Sequence, residues 1–194
     1  MMLTLASASE TRAKMLRDVG LDIETVPSGV DEDEIKNRYR RDKQPADELA
    51  LALAEAKALA IDRSDLILGA DQILSFNGDT FDKPQDIDQA KAQLKQLRGV
   101  QHELLSAAVI VENGSVIWRH IGRATLTMRN FSDDFLAGYL KEEGETVLAT
   151  VGGYRIEARG AQLFDAISGD YFSILGLPLL DVLEFLRRRK VLIE

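Results

Sequence analysis

The chain of 194 residues contains no cysteine. Disulfides, thiolate nucleophiles, iron–sulfur clusters and thiolate zinc sites are therefore excluded. Histidine is nearly as scarce. With only His102 and His120, a polyhistidine metal centre is all but excluded, and a bound metal has to be a hard ion held by carboxylate and phosphate oxygens. Positive charge is in deficit too: 24 basic against 32 acidic side chains leave a formal charge of -8. Such a field repels a polyanionic backbone and argues against a nucleic-acid partner, whereas a small anion needs only a few convergent cations. No apolar run reaches about 18 residues, and MMLTLASASETR has neither a basic leader with an apolar run nor a small-residue cleavage site. The expectation is a cytoplasmic protein with no membrane partner.

What is there suits one sizeable domain. With 45% hydrophobic residues, a chain of this length buries roughly two thirds of its unfolded surface. Residues 1–194 are expected to form a single domain with two lobes. No internal repeat or low-complexity linker interrupts it.

Punctuation residues divide the chain. Leu3 to Ala6 reads as a short buried strand, Ser7 to Ser9 as its turn, and Ser9 as the cap of a helix from Glu10 to Asp18 that Gly20 stops. Leu21 to Val26 is a second strand candidate. The charged stretch from Asp31 to Asp47 reads as a mobile, partly helical surface segment. Leu49 to Ile61, rich in alanine and leucine, reads as a helix. Leu66 to Ala70 is a short apolar strand ending at Asp71, Gln72 to Phe76 can extend the sheet, and Asn77-Gly78 is a two-residue hairpin turn. Asp86 caps a helix with Ala90, Leu94 and Leu97 on one face. Glu103 to Val111 and Val116 to Ile121 read as strands joined through Asn113-Gly114, and Arg123 to Arg129 as a third. Ser132 caps the next helix, broken near Gly144. Gln162 to Ile167 is a strand candidate, and Leu177 to Arg189 a helix opening at Pro178. The fold class is α/β, a mixed twisted sheet with flanking helices, and the long surface segment and the separate hairpin group allow two lobes around a central cleft.

Several positions carry candidate chemistry. The turn Ser7-Ala8-Ser9-Glu10-Thr11-Arg12 offers backbone N–H groups, hydroxyls and a helix N-terminus, a combination that suits phosphate, with Arg12 able to add a bidentate contact. The plain alternative is that Ser9 only caps the helix and Arg12 is solvated surface. Asp71, after an apolar strand, stands where ligands collect in open α/β sheets, and could hold a metal or activate water; a capping aspartate is the alternative. Lys83, fixed in extended backbone by Pro84, could neutralise a leaving pyrophosphate or be an ordinary exposed lysine.

Lys57 has small neighbours that would allow close approach of a sheet or loop, so it could bind phosphate, or its stem could lie along apolar surface. Asp31-Glu32 could be metal ligands or part of an acidic face. Gly152-Gly153-Tyr154-Arg155-Ile156-Glu157 could read a base edge, or be a turn whose tyrosine plugs the core. Ser168-Gly169-Asp170 and Gly176-Leu177-Pro178 look architectural. No Walker pattern, nucleophile elbow or dinucleotide fingerprint is present, so direct attack by water fits better than a covalent intermediate.

Taken in order, LASASETR at 5 to 12, VDE at 30 to 32, LALAEAKA at 51 to 58, GADQ at 69 to 72, DKP at 82 to 84, VGGYRIEARG at 151 to 160 and SGDYFSILGLPL at 168 to 179 resemble the Maf-like nucleotide pyrophosphatases. Each piece is weak alone, and the ordered set is specific. The resemblance implies hydrolysis of nucleoside triphosphates to monophosphate and pyrophosphate on a fold related to inosine triphosphate pyrophosphatases. It also implies Mg2+ or Mn2+ as cofactor and a homodimer. It assigns the proton acceptor for water to Asp71, phosphate handling to Ser7, Arg12, Lys57 and Lys83, and the metal to Glu32 with Asp71.

Substrate contacts are expected from Ser7, Ser9, Thr11, Gln72, Gly153 and Glu157. Gln72 and Glu157 resemble the branch acting on 7-methyl-GTP more than the dTTP/UTP branch, while Thr11 lacks the aromatic surface that the former branch carries there. A modified purine is the expected preference, with a phosphatase releasing orthophosphate and a non-hydrolysing nucleotide sensor as alternatives.

Overall fold

Strand and helix alternate from the start, because short apolar runs are each closed by a capping or turn residue. The computed structural model describes residues 2–192. Its seven-stranded mixed sheet has the order β2 (Ile23–Thr25), β1 (Leu3–Leu5), β3 (Leu66–Phe76), β5 (Gln101–Glu112), β6 (Ser115–Met128) and β7 (Phe164–Gly169), with β4 (Asp79–Phe81) paired to β3. Two compact units divide the chain. The first holds the residues up to Gln72, Leu105–Gly122 and the residues from Asp170 on; the second holds Ile73–Leu104 and Arg123–Gly169.

In the first unit, β1 (Leu3–Leu5) pairs in parallel with β2 (Ile23–Thr25) and with β3 (Leu66–Phe76). β1 is buried throughout, as parallel strands covered on both faces are. Residues alternate across a strand. Leu66, Leu68 and Ala70 accordingly join one apolar cluster with Ala13 and Leu16 of α1 (Glu10–Asp18) and with Val182 and Leu186 of α7 (Leu179–Arg188). Gly69 and Asp71 point the other way, toward α3 (Ala46–Leu59). A Cβ on Gly69 would stand 2.0 Å from the Ala54 carbonyl oxygen and 2.9 Å from the Ala58 Cβ. Only glycine permits that approach, so the alanines of α3 and the missing side chain at Gly69 jointly bring the helix onto the strand.

The segment expected to be partly helical contains a regular helix, α2 (Glu32–Asp42), capped by Asp31, whose carboxylate accepts from the Asp33 N–H at 3.0 Å. The strand expected to end at Asp71 runs on to Phe76, so Asp71 lies inside β3 and not after it. Gln72 and Ser75 keep polar atoms in the sequence there, but Ile73 and Leu74 are buried and hold the strand together. Pro178 is the cap of α7, one position before the first helical residue. A short helix, α6 (Tyr171–Ile174), had no apolar periodicity to announce it and depends on Asp170, which accepts from the Ser173 N–H at 2.7 Å.

The second unit contains β4 (Asp79–Phe81), α4 (Ile87–Leu97), α5 (Asp133–Glu143) and β7 (Phe164–Gly169). Both Asn-Gly turns sit at positive φ, Asn77 at 53° and Gly78 at 87°, Asn113 at 50° and Gly114 at 72°. That backbone matches the twist of the strands it joins. β5 (Gln101–Glu112) and β6 (Ser115–Met128) are long, and β6 takes in both stretches expected as separate strands, because Gly122 continues the extended backbone instead of breaking it. β7 runs antiparallel to β6 from Ala124↔Gly169 to Met128↔Phe164. Asp86 and Ser132 cap α4 and α5 as the sequence indicates.

Candidate active site

Close packing of α3 on β3 sets two charges side by side. Lys57 projects from the buried face of α3, which also carries Leu53, Ala54 and Ala58, and its Nζ donates to the Asp71 carboxylate at 2.6 Å. Asp71 is 7% exposed and Lys57 9%, so neither charge has bulk water to solvate it and each depends on the other. The same Nζ lies 2.7 Å from Glu32 Oε1, and Glu32 Oε2 lies 3.0 Å from Lys36 Nζ. Burial works against the Glu32 charge, but hydrogen bonds and attraction from Lys57 and then Lys36 outweigh it and hold the carboxyl down at about 2. Asp71, Glu32 and Lys57 thus form a fixed anionic floor bridged by one ammonium.

Arg12 lies beside that floor. Its Nε donates to the Gly176 carbonyl at 2.8 Å and its Nη1 to the Ala70 carbonyl at 3.0 Å. Burial lowers its pKa from the usual arginine value, opposed by the charges of Asp71 and Glu32. Gly176 stands at φ 106°, a backbone conformation that glycine adopts without strain and that sets its carbonyl to accept from Arg12. The turn expected to be only architectural therefore also anchors a candidate ligand. Nη2 makes no hydrogen bond among the described residues, which leaves one guanidinium edge available.

The turn before α1 does two jobs. Ser7 Oγ accepts from the Ser9 N–H at 3.1 Å, and Ser9 Oγ accepts from the Arg12 N–H at 3.3 Å, so both hydroxyls order the turn and cap the helix. The N–H groups of Ala8, Glu10 and Thr11 have no acceptor among the described residues. They point an uncompensated set of donors outward at a helix N-terminus, where an anion is favoured. Ala8, Glu10 and Thr11 are exposed.

Gln72 faces away from Asp71. Its Nε2 donates to Ser106 Oγ at 3.0 Å and to the carbonyls of Ser173 and Ile174 at 3.0 and 2.9 Å. Ser106 Oγ also donates to the Ser173 carbonyl at 2.6 Å. That amide braces the α6 segment to the strand.

Lys83, Gly153 and Glu157 belong to the second unit. Lys83 is exposed, just before buried Pro84. Gly153, at φ 70°, is buried against Ala90 and Leu94 of α4, and its carbonyl accepts from the Tyr139 hydroxyl at 3.1 Å. Tyr154 next to it fills the interior, with its ring 4.8 Å from that of Phe164 and its hydroxyl 2.7 Å from His102 Nε2. Of the two possibilities for this segment, the tyrosine takes the core-filling one, while Glu157 stays exposed at the following turn. Arg155 is held by Glu143 at 3.0 Å. An open groove of about 630 Å³ between the β3–β4 hairpin and α4, lined by Phe76, Asp79, Phe81, Gln89 and Gln93, contains none of the candidate residues.

Sequence reasoning missed Lys36 and read Gly176 as mainly architectural. Lys36 had a local signal, its position four residues after Glu32 on a helix. Among the described residues no three His, Cys, Asp or Glu side chains converge as a metal group. Glu32 and Asp71, which share the Lys57 ammonium, would be the protein's donors to a bound metal. Two hard oxygen donors, with phosphate oxygens and water completing the shell, fit Mg2+ or Mn2+ and do not fit a zinc-type site. No described helix is long and apolar enough to cross a membrane.

Comparison with known proteins adds a separate line. The family model described as Maf-like protein matches residues 2–189. The chain is 48% identical over 191 residues, 97% of its own length and 96% of the relative's, to a protein of Hyphomonas neptunium named nucleoside triphosphate pyrophosphatase. A protein of Granulibacter bethesdensis with the same name is 47% identical over 195 residues, covering 99% of each chain. One from Mesorhizobium japonicum, named 7-methyl-GTP pyrophosphatase, is 45% identical over 186 residues and 94% of each chain.

Proposed function

The chain belongs to the Maf-like protein family, and on that premise we propose that it hydrolyses nucleoside triphosphates to the monophosphate and pyrophosphate through Asp71. The observation that carries the assignment of Asp71 is its carboxylate held at 2.6 Å by Lys57, with Arg12 near enough for its charge to be felt. Charges in such an arrangement are positioned before substrate arrives, which is the form electrostatic catalysis takes.

In the proposed reaction a water oxygen attacks the α-phosphorus, its proton passes to the Asp71 carboxylate, and the bond from the α-phosphorus to the bridging oxygen breaks to release pyrophosphate. Lys57 fixes the Asp71 carboxylate in place. Arg12 Nη2 and the N–H groups of Ala8, Glu10 and Thr11 receive phosphate oxygens, while Ser7 and Ser9 keep that turn in shape. Lys83 is assigned to the charge on pyrophosphate by family resemblance. Mg2+ or Mn2+ held by Glu32 and Asp71 would supply Lewis-acid stabilisation of phosphoryl oxygens.

Asp71→Asn tests the assignment. With metal saturating, its pyrophosphate release per folded molecule should fall by a factor of about 100 to 10,000; near-normal turnover per folded molecule would remove Asp71 from the role. Separating orthophosphate from pyrophosphate in the product decides against or for a phosphatase, and unchanged nucleotide after long incubation with metal would indicate a sensor.

The finer proposal is preference for a modified purine such as 7-methyl-GTP. Exposed Glu157 supports it, since a carboxylate accepts from guanine N1–H and N2–H together, whereas uracil or thymine offers one imide donor between acceptors. A panel of canonical and modified triphosphates, scored by kcat/KM with each metal, checks that preference.

A further inference from the structure

Glu32 divides its two oxygens between two lysines, Oε1 to Lys57 at 2.7 Å and Oε2 to Lys36 at 3.0 Å. Lys57 also holds Asp71, so Oε1 is the oxygen that shares an ammonium with the second carboxylate. We propose that Lys36 is a positioning residue for Glu32, holding Oε2 so that Oε1 keeps its place near Asp71 when an incoming cation or phosphate draws Lys57 away. This rests on the reading of Glu32 and Asp71 as the metal-holding pair.

The backbone does not perform that task. α2 has no buried residue, and the Glu32 side chain is 35% exposed in its first turn, where a glutamate ordinarily samples several rotamers. Lys36 is one helical turn on, on the same face, and its side chain is only 16% exposed. An ordinary Glu–Lys surface pair leaves both ends in water, as Lys14 and Asp18 do at 74% and 58% exposure. Lys36 instead lies largely out of water, against the carboxylate whose other oxygen is in the candidate site. Partners that orient a ligating carboxylate contribute to metal affinity without touching the metal.

Removing Lys36 has two opposed consequences, and their balance decides the matter. Taking away a positive charge near two carboxylates strengthens binding of a divalent cation, whereas freeing Glu32 to leave its rotamer weakens it. Positioning predicts the second outcome. Mn2+ is titrated into the full chain without nucleotide, and free Mn2+ is read by its electron paramagnetic resonance signal. Lys36→Met should bind Mn2+ about tenfold more weakly, and Lys36→Arg, which can still donate to Oε2, should recover most of the affinity. In turnover, Lys36→Met should need more metal and approach the wild-type kcat once metal saturates.

Equal or tighter Mn2+ binding by Lys36→Met overturns the inference and leaves an ordinary helix pair, even if the wild type releases pyrophosphate as proposed. Weaker binding in Lys36→Met that Lys36→Arg does not repair overturns it also. If the wild type neither binds Mn2+ nor needs a divalent cation to release pyrophosphate, the metal assignment of Glu32 and Asp71 fails and takes the inference with it.

Discussion

The two units bury ionisable groups to a similar depth, but the first gathers charges around one ammonium while the second buries mostly neutral groups. In the first, Lys57 and Asp71 are buried as charges and held together, with Glu32 bridged to the same ammonium. In the second, His102, Tyr139 and Tyr154 are buried as neutral groups, and the one buried carboxylate among its described residues, Glu143, is paired with Arg155. Burial takes His102 down to about 4 from its ordinary 6.5 and pushes both tyrosines well above the usual phenol range. Neutralisation is the cheaper way to bury a titratable group. A chain that keeps three charges in one place, while neutralising others elsewhere, retains at that place groups able to exchange partners with a phosphate, a cation or a proton.

The strongest way to break the comparison is to remove one member of the charged set. Lys57→Met leaves Asp71 buried without its cation, and an uncompensated buried charge costs about 3–5 kcal/mol. Chemical denaturation should show that loss, and a variant as stable as wild type would mean that Asp71 was never a buried charge.

The neutral set predicts a pH dependence of the opposite origin. The folded pKa of His102 lies below the unfolded value, so the unfolded chain takes up the proton first. Stability from the neutral ring is then complete above about 6.5 and declines as pH falls toward about 4. A shift of about 2.5 units corresponds to roughly 3 kcal/mol across that window. Denaturation curves from pH 7 to pH 4 should show the slope, and His102→Asn should flatten it. Glu32, held at about 2 against an ordinary 4.5, adds a slope of the same sign once the unfolded chain protonates it below about pH 5, so the flattening due to His102 is read between about pH 7 and 5.5.

Tyr154→Phe sharpens the contrast with the smallest change. His102 Nδ1 is already buried without a hydrogen-bond partner. Removing the hydroxyl takes the partner of Nε2 as well and should cost about 1–2 kcal/mol. Pyrophosphate release per folded molecule should be unaffected.

Much of this architecture is local and was legible. Ser9, Asp86 and Ser132 cap the helices they were expected to cap, and the Asn-Gly pairs make both hairpins, because each such signal acts within four residues. Small residues around Lys57 correctly implied a close approach, and Gly69 shows what approaches. What lay beyond the sequence is tertiary. Asp71 looked like a strand end because its charge interrupts an apolar run, yet Ile73 and Leu74 continue the strand into the second unit's core. That Glu32, Lys57 and Asp71 meet is decided by helix packing between segments far apart in the chain. Gln72 shows the same limit: the resemblance placed it among the substrate contacts, and its side of the strand directs its amide donors to Ser106, Ser173 and Ile174.

The central claim is that the charged floor delivers water to the innermost phosphorus. Hydrolysis in 18O-enriched water under single-turnover conditions, with the products resolved by mass, measures where that oxygen goes. The account predicts the label in the nucleoside monophosphate and none in pyrophosphate; label in pyrophosphate or in orthophosphate would contradict it.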